Sequence, residues 1–251
     1  MKIVVDGDPG YNASTTRKAV ELLLDEHGKQ EGTLVMEQTM GVPIGCGFGA
    51  SAAAAISGVY AAAKATGIRL AKAKLAYYAH VAEILQQTGL GTVSVTYDRI
   101  GAGAITKAGG PGISEFLNVR YPAQTRIVTA SLAPFRKSDA LSAPQTVNRI
   151  NDLGNRALRN LVTSPTLETL GIEGERFSES LGLMNPNVKK LARLAKASGA
   201  SYASQNMIGH AIHALVTADI AETVAAILRA SSLKPQVAIF EIGRQRAGIL
   251  S

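Results

Sequence analysis

Four closely spaced glycines, Gly41, Gly45, Gly47 and Gly49, run through the segment GVPIGCGFGASAAAA at residues 41–55. Glycine at these places lets a backbone bend sharply and approach a ligand closely. The alanine run that follows has the highest helix propensity of any residue type. A loop that feeds straight into a helix offers free N–H groups and a partial positive charge, which suit phosphate oxygens. Ser51 falls in the first turn, where its hydroxyl can reach a phosphate or a magnesium ion. The segment is not the P-loop of nucleoside triphosphatases, because no Lys-Ser/Thr closes it. Nor is it the dinucleotide fingerprint: its glycines alternate, and no acidic residue ends a following strand. Glycine spacing by itself is equally compatible with a tight turn packed under a helix.

A carboxylate elsewhere in the chain separates these readings. The helix from Ser51 to Thr66 is about 16 residues, or roughly 24 Å. Gly67 turns the chain, and a second helix runs back from Leu70 to Thr88. Glu83 lies about 13 residues into that return, roughly 20 Å. If the two helices are antiparallel, Glu83 comes back beside Ser51. A hydroxyl and a carboxylate flanking phosphates are what a magnesium ion takes as ligands.

The elements that hold this pair read as follows. MKIVV is a strand, and Ser14 is the N-cap of a helix that stops at Gly28. Thr33–Met40 is a strand before the glycine loop. Thr92–Tyr97 and Ala102–Lys107 read as the strands of a hairpin, with a hard break at Gly109–Gly112. Arg126–Leu132 is β-rich. Helices are expected at Pro144–Thr163, Thr166–Leu181 and Asn187–Ser198. Ala200–Ser204 and His210–Val216 read as strands. Asp219 and Glu222 form a capping box for a helix, and Val237–Ile242 is a last strand. Strands and helices alternate without a βαβ rhythm, so the fold class is α+β. The domain break falls at Asn118–Pro122, giving an N-terminal domain of residues 1–119 and a C-terminal one of 120–251.

Composition limits the alternatives. Apolar residues make up 46% of the chain, with no Trp and 5% aromatics, so the core must be Ala, Val, Leu and Ile. The net charge of +7 is scattered in pairs such as Lys72/Lys74 and Lys189/Lys190. It forms no arginine-rich or aromatic-interleaved tract, which argues against nucleic acid. Gly41–Ala63 carries no charge but also no Leu, too weakly apolar for a membrane span; no membrane partner is expected. Cys46 is the only cysteine, so an intrachain disulfide is impossible and a reducing cytoplasm fits. His210 and His213, three apart on a strand, point to opposite faces and do not suggest a shared metal.

PIGCGFGASAAAAIS resembles the second motif of the GHMP kinases, the superfamily of galactokinase, homoserine kinase and mevalonate kinase. AHVAEILQQTGLGTV at residues 79–93, KAGGPGI at 107–113, ASTTRKAVELLL near the start and SLAPFRKSDAL at 131–141 are similar to the pantoate kinases of archaea. The resemblance implies a two-domain α+β fold with the active site between the domains. It implies ATP as donor, magnesium as cofactor, and pantoate or a similar hydroxy acid as acceptor, giving 4-phosphopantoate for coenzyme A biosynthesis. Carried over, Pro43, Gly45, Cys46, Gly47, Phe48, Gly49, Ala50, Ser51 and Ala52 hold the phosphates. Ser51 and Glu83 are the magnesium ligands. Arg136 and Ser138 bind substrate, and Lys137 neutralises charge in the transfer. Ser204 and Gly209 fall where the family's third motif belongs.

Two departures bear on activity. Family members carry a strand-and-loop motif ahead of the position of Met1, so that motif is expected to be missing. The family's GLG is usually followed by Asp, and here Thr92 stands in that catalytic position. Thr is no base at neutral pH, and Asp98 is six residues on. The competing expectation is therefore a relative that binds nucleotide or a partner protein without phosphoryl transfer. Oligomeric state is open, a homodimer included.

Overall fold

The computed structural model describes residues 1–28, 32–89, 91–132, 144–207 and 209–249. The N-terminal part opens with β1 (Lys2–Val5), α1 (Ser14–His27) and β2 (Val35–Gln38). β1 and β2 are parallel neighbours, with Ile3 opposite Met36 and Val5 opposite Gln38. α2 (Ala50–Thr66) and α3 (Lys72–Gln86) follow. α2 carries its alanines where helices touch: Ala52, Ala55 and Ala62 are fully buried. Small side chains permit close approach, and at Gly58 an added Cβ would stand 2.5 Å from Thr16 Cγ2 of α1. The helical part of the uncharged Gly41–Ala63 stretch, from Ala50, thus packs its small residues into a three-helix layer. Among the described residues no helix is long and apolar enough to cross a membrane.

Residues 92–97 do not form the expected strand. Val93–Thr96 is a single helical turn, α4. β-branched residues favour strands only where a pleated surface receives them. Here Val93 and Tyr97, one helical turn apart, are both buried in the N-terminal core. Ser94 Oγ donates to the Gly109 carbonyl at 2.6 Å, and Thr96 Oγ1 donates to the Thr92 carbonyl at 2.9 Å. Burial at helical spacing therefore overrides local preference. The hairpin partner of β3 (Ala102–Lys107) is instead β4 (Glu115–Val119).

The C-terminal part is built on β5 (Thr125–Ser131), β6 (Tyr202–Gln205), β7 (Ala211–Thr217) and β8 (Gln236–Glu241). They form one antiparallel sheet in the order β6-β7-β5-β8. One face presents Val128, Ala130, Ile212 and Ala214 to α7 (Pro186–Ala197) and α8 (Ala221–Arg229). α5 (Pro144–Thr163) and α6 (Leu167–Leu181) pack on each other, and α6 also packs on β6. The capping box at α8 is not formed. The helix follows Ile220 with no side-chain cap. The Asp219 carboxylate bonds the Thr217 hydroxyl, which lowers its pKa, and Glu222 faces Arg229 at 3.4 Å. At α1, likewise, Ser14 is the first helical residue and Ala13 precedes it without a side-chain cap. Two separate apolar clusters result, one from β1 to α4 and one from β5 to α8.

Candidate active site

The glycine loop ends at the N-terminus of α2. Gly49 is the residue before the helix, with φ +73° and no side chain capping the first turn, which holds no acidic residue. The first amides of α2 thus face outward without an internal acceptor, the arrangement that receives an anion. A Cβ at Gly49 would lie 2.8 Å from Thr92 Cγ2, so Thr92 packs its methyl directly on the loop.

α3 returns antiparallel and delivers Glu83 to Ser51. Ser51 Oγ donates to Glu83 Oε1 at 2.8 Å and lies 3.4 Å from the Thr88 carbonyl. Glu83 is 2% exposed, an unusual place for a carboxylate. The chain after α3 is shaped around it. At Gly89 an added Cβ would lie 2.1 Å from Glu83 Oε2 and 2.4 Å from Oε1. Thr88 Oγ1 in turn meets Thr15 Oγ1 of α1 at 3.0 Å. This latch ties the start of α1 to the end of α3.

A cavity of about 370 Å³ opens over the loop. It runs from Gly47 and Ser51 past Thr15 and Thr88 to Asn12 and Gln38. Gln38 is committed internally: Oε1 accepts from Thr16 at 3.3 Å, and Nε2 donates to the Ala54 carbonyl at 2.8 Å. No Lys or Arg is among the described residues that line the cavity. Phosphate charge there would be met by backbone amides, the α2 terminus and a cation. The partly buried Ser51 hydroxyl and the buried Glu83 carboxylate are oxygen groups of the kind that could hold such a cation. Elsewhere, among the described residues, no group of three or more His, Cys, Asp or Glu is placed to hold a metal.

The loop residues named from sequence divide between two sides. Gly45, Gly47, Phe48, Gly49, Ala50 and Ser51 line the cavity. Pro43 and Cys46 line a separate groove on the far side, and Ala52 is packed in the core with no exposure. The Cys46 thiol is 1% exposed and donates to the Leu132 carbonyl at 3.3 Å. Arg136, Lys137 and Ser138 lie outside the described residues. Gly209 is set against the loop from behind, where its Cβ would lie 2.3 Å from the Cys46 carbonyl carbon. Ser204 lies on β6, opposite His213. Sequence reasoning missed Thr15, Thr88 and Gln38. The hydroxyl-rich start of α1, NASTT, is the only signal that pointed there.

Residues 14–97 match the family model described as the GHMP kinases N terminal domain. A pantoate kinase from Thermococcus kodakarensis is 29% identical over 222 residues, which cover 86% of this chain and 71% of that one. The solved structure described as a phosphotransferase related to the CoA biosynthesis pathway superposes with a TM-score of 0.82. It is 26% identical and covers 98% of this chain and 79% of its own. A structure described as MDDEF in complex with MVAPP, AMPPCP and magnesium has a TM-score of 0.64 at 16% identity, over 96% of this chain and 83% of its own, a likeness of fold alone. Residues 14–97 thus carry a GHMP kinases N terminal domain, and the chain shares the α+β, two-part architecture of the CoA-related phosphotransferase.

Proposed function

We propose that this chain transfers the terminal phosphoryl group of ATP to pantoate, making 4-phosphopantoate for coenzyme A biosynthesis. The observation that carries the reading is the Ser51–Glu83 contact at the head of α2, with Ser51 on the wall of a cavity that has no basic residue in its described lining. The similarity to a pantoate kinase and to a CoA-related phosphotransferase supports the acceptor. The two apolar clusters support a division into domains 1–119 and 120–251, with the glycine loop of the first meeting Asn206 and Gly209 of the second.

In this reading Gly45–Ser51 bind the phosphates through backbone amides. Ser51 and Glu83 would hold magnesium, which would offset charge on the phosphates. The Thr15–Thr88 latch keeps Glu83 and Ser51 in register. Arg136 and Ser138 meet the acceptor and Lys137 the transferred group. The cavity continues toward Asn12 and has the volume for a nucleoside. The protein works in a reducing cytoplasm, without nucleic acid or membrane, on small molecules; a homodimer is compatible with this.

A second reading has its own observation. No carboxylate is among the described residues lining the cavity, and Thr92 offers a methyl to the loop at the position of the family's usual Asp. That favours nucleotide binding without transfer. Phosphoryl transfer rests mainly on positioning and charge neutralisation, so the first reading does not require a strong base. A coupled ADP-release assay with pantoate, mevalonate and homoserine separates them. ADP release that depends on pantoate supports the kinase; tight ATP binding with no turnover on any acceptor sinks it.

A further inference from the structure

At Gly47, with φ +87°, the backbone of the proposed phosphate loop meets a distant segment. A Cβ there would lie 2.2 Å from the Asn206 carbonyl oxygen. A Cβ on Gly209 would lie 2.4 Å from the Cys46 carbonyl oxygen and 2.6 Å from the Gly47 nitrogen. Two glycines, one from each half of the chain, therefore press backbone on backbone. The segment behind the loop acts as its mould, and whatever fixes that segment fixes the loop.

The mould is itself tied down. Gly209 N–H donates to the Asn206 carbonyl at 2.8 Å, and Gln205 Nε2 donates to the Gly209 carbonyl at 3.0 Å. Asn206 Oδ1 lies 2.7 Å from His213 Nδ1. His213 sits mid-strand in β7, held between Thr129 of β5 and Ser204 of β6. It is the one member of this chain of contacts anchored in the centre of the sheet. Removal from water pushes its pKa down, so the ring is neutral near pH 7. With the amide oxygen facing it, Nδ1 carries the proton and donates. A sheet residue thus steers Asn206, and the Asn206 backbone steers Gly47.

We propose that His213 is a positioning residue for the phosphate loop: through Asn206 it fixes the backbone on which Gly47 rests, and so sets nucleotide affinity without touching nucleotide. The inference rests on the nucleotide reading of that loop.

The surroundings of His213 supply a test. The ring lines a cavity of about 150 Å³ with Ser204, Tyr202 and Leu215. In His213→Ala the vacated ring volume joins that cavity and leaves room for free imidazole. His213→Phe fills the ring volume but has no N–H. Mg·ATP affinity is measured by calorimetry for wild type and both variants, with the melting temperature of each as a separate readout. Both variants should bind about tenfold more weakly, the scale of one lost buried hydrogen bond. Added imidazole should recover affinity in the Ala variant and none in the Phe variant. Absence of binding by the wild type overturns the nucleotide reading, and this inference with it. Wild-type binding matched by both variants overturns the positioning role alone. So does a Phe variant with wild-type affinity, or an Ala variant that imidazole leaves unrecovered.

Discussion

Replacing Gly89 by Ala probes the proposed magnesium site without replacing any ligand. The added Cβ would stand 2.1 Å from Glu83 Oε2, 2.2 Å from Cδ and 2.4 Å from Oε1, where ordinary contact begins at 3.4 Å. Something must move by about 1.3 Å, the difference between those two distances. The obstacle is the far end of a flexible side chain, so the carboxylate yields and the backbone stays. A retreat of that size is enough to break the 2.8 Å bond from Ser51 Oγ. Hydrogen bonds to charged groups contribute about 1.5–3 kcal/mol, and 1.36 kcal/mol is tenfold. The magnesium concentration for half-maximal ATP binding should therefore rise roughly 10- to 150-fold. The assay is a magnesium titration of ATP binding by calorimetry, with circular dichroism to verify the fold. Glu83→Gln, which keeps the shape and removes the charge, should give a loss at least as large. An unchanged magnesium requirement in a folded Gly89→Ala protein would refute the placement of the metal on Ser51 and Glu83.

Thr92→Asp should raise pantoate-dependent turnover by about 10²–10⁴-fold if the missing element is a general base; no gain in a variant that still binds ATP shows that a base is not what limits the protein. Cys46, 1% exposed, should resist alkylation in the native protein with or without ATP and react fully in denaturant; rapid native labelling contradicts its burial against Leu132. Desolvation lowers the pKa of His80 in the folded chain below the ordinary histidine value of about 6.5. Below about pH 6.5 the unfolded state binds the proton more readily. Stability should therefore fall as pH drops from 6.5 toward the folded pKa. His80→Leu should flatten that part of the melting-temperature profile, and an unaltered slope counts against a desolvated imidazole there.

The candidate site was legible in the sequence because its two ends are set by helix arithmetic. Ser51 follows a glycine loop, and Glu83 lies one helix out and most of a helix back. With a rise of 1.5 Å per residue, antiparallel packing of the two helices brings them together. The three-helix layer was legible for a related reason: Gly67 ends α2, and the alanines mark the faces that touch. Thr92–Tyr97 misled because Val-Ser-Val-Thr carries strand propensity. Its helical turn comes from burial of Val93 and Tyr97, four residues apart, a spacing that strand preference conceals. The capping box at Asp219 and Glu222 failed similarly. Both side chains found other partners, in Thr217 and Arg229, which no local pattern announces.

What the sequence hid most fully is the rear wall of the loop. Gly47 and Gly49 read as freedom, residues that let a backbone bend. In the structure each marks contact with a distant segment, Gly47 with Asn206 and Gly49 with Thr92. A loop made only of flexible residues would lose conformational entropy each time it closed on phosphate. A loop pressed between α4 and the segment before β7 has lost that entropy on folding. In the proposed reading its amides would meet an anion already aligned, leaving the binding energy for holding the nucleotide. The same contacts make the loop sensitive to the seam between the two apolar clusters, because Asn206 and Gly209 belong to one side and Ser51 and Glu83 to the other. A change that shifts the C-terminal sheet relative to α2 and α3 should therefore be felt first at the phosphates, before either core is disturbed.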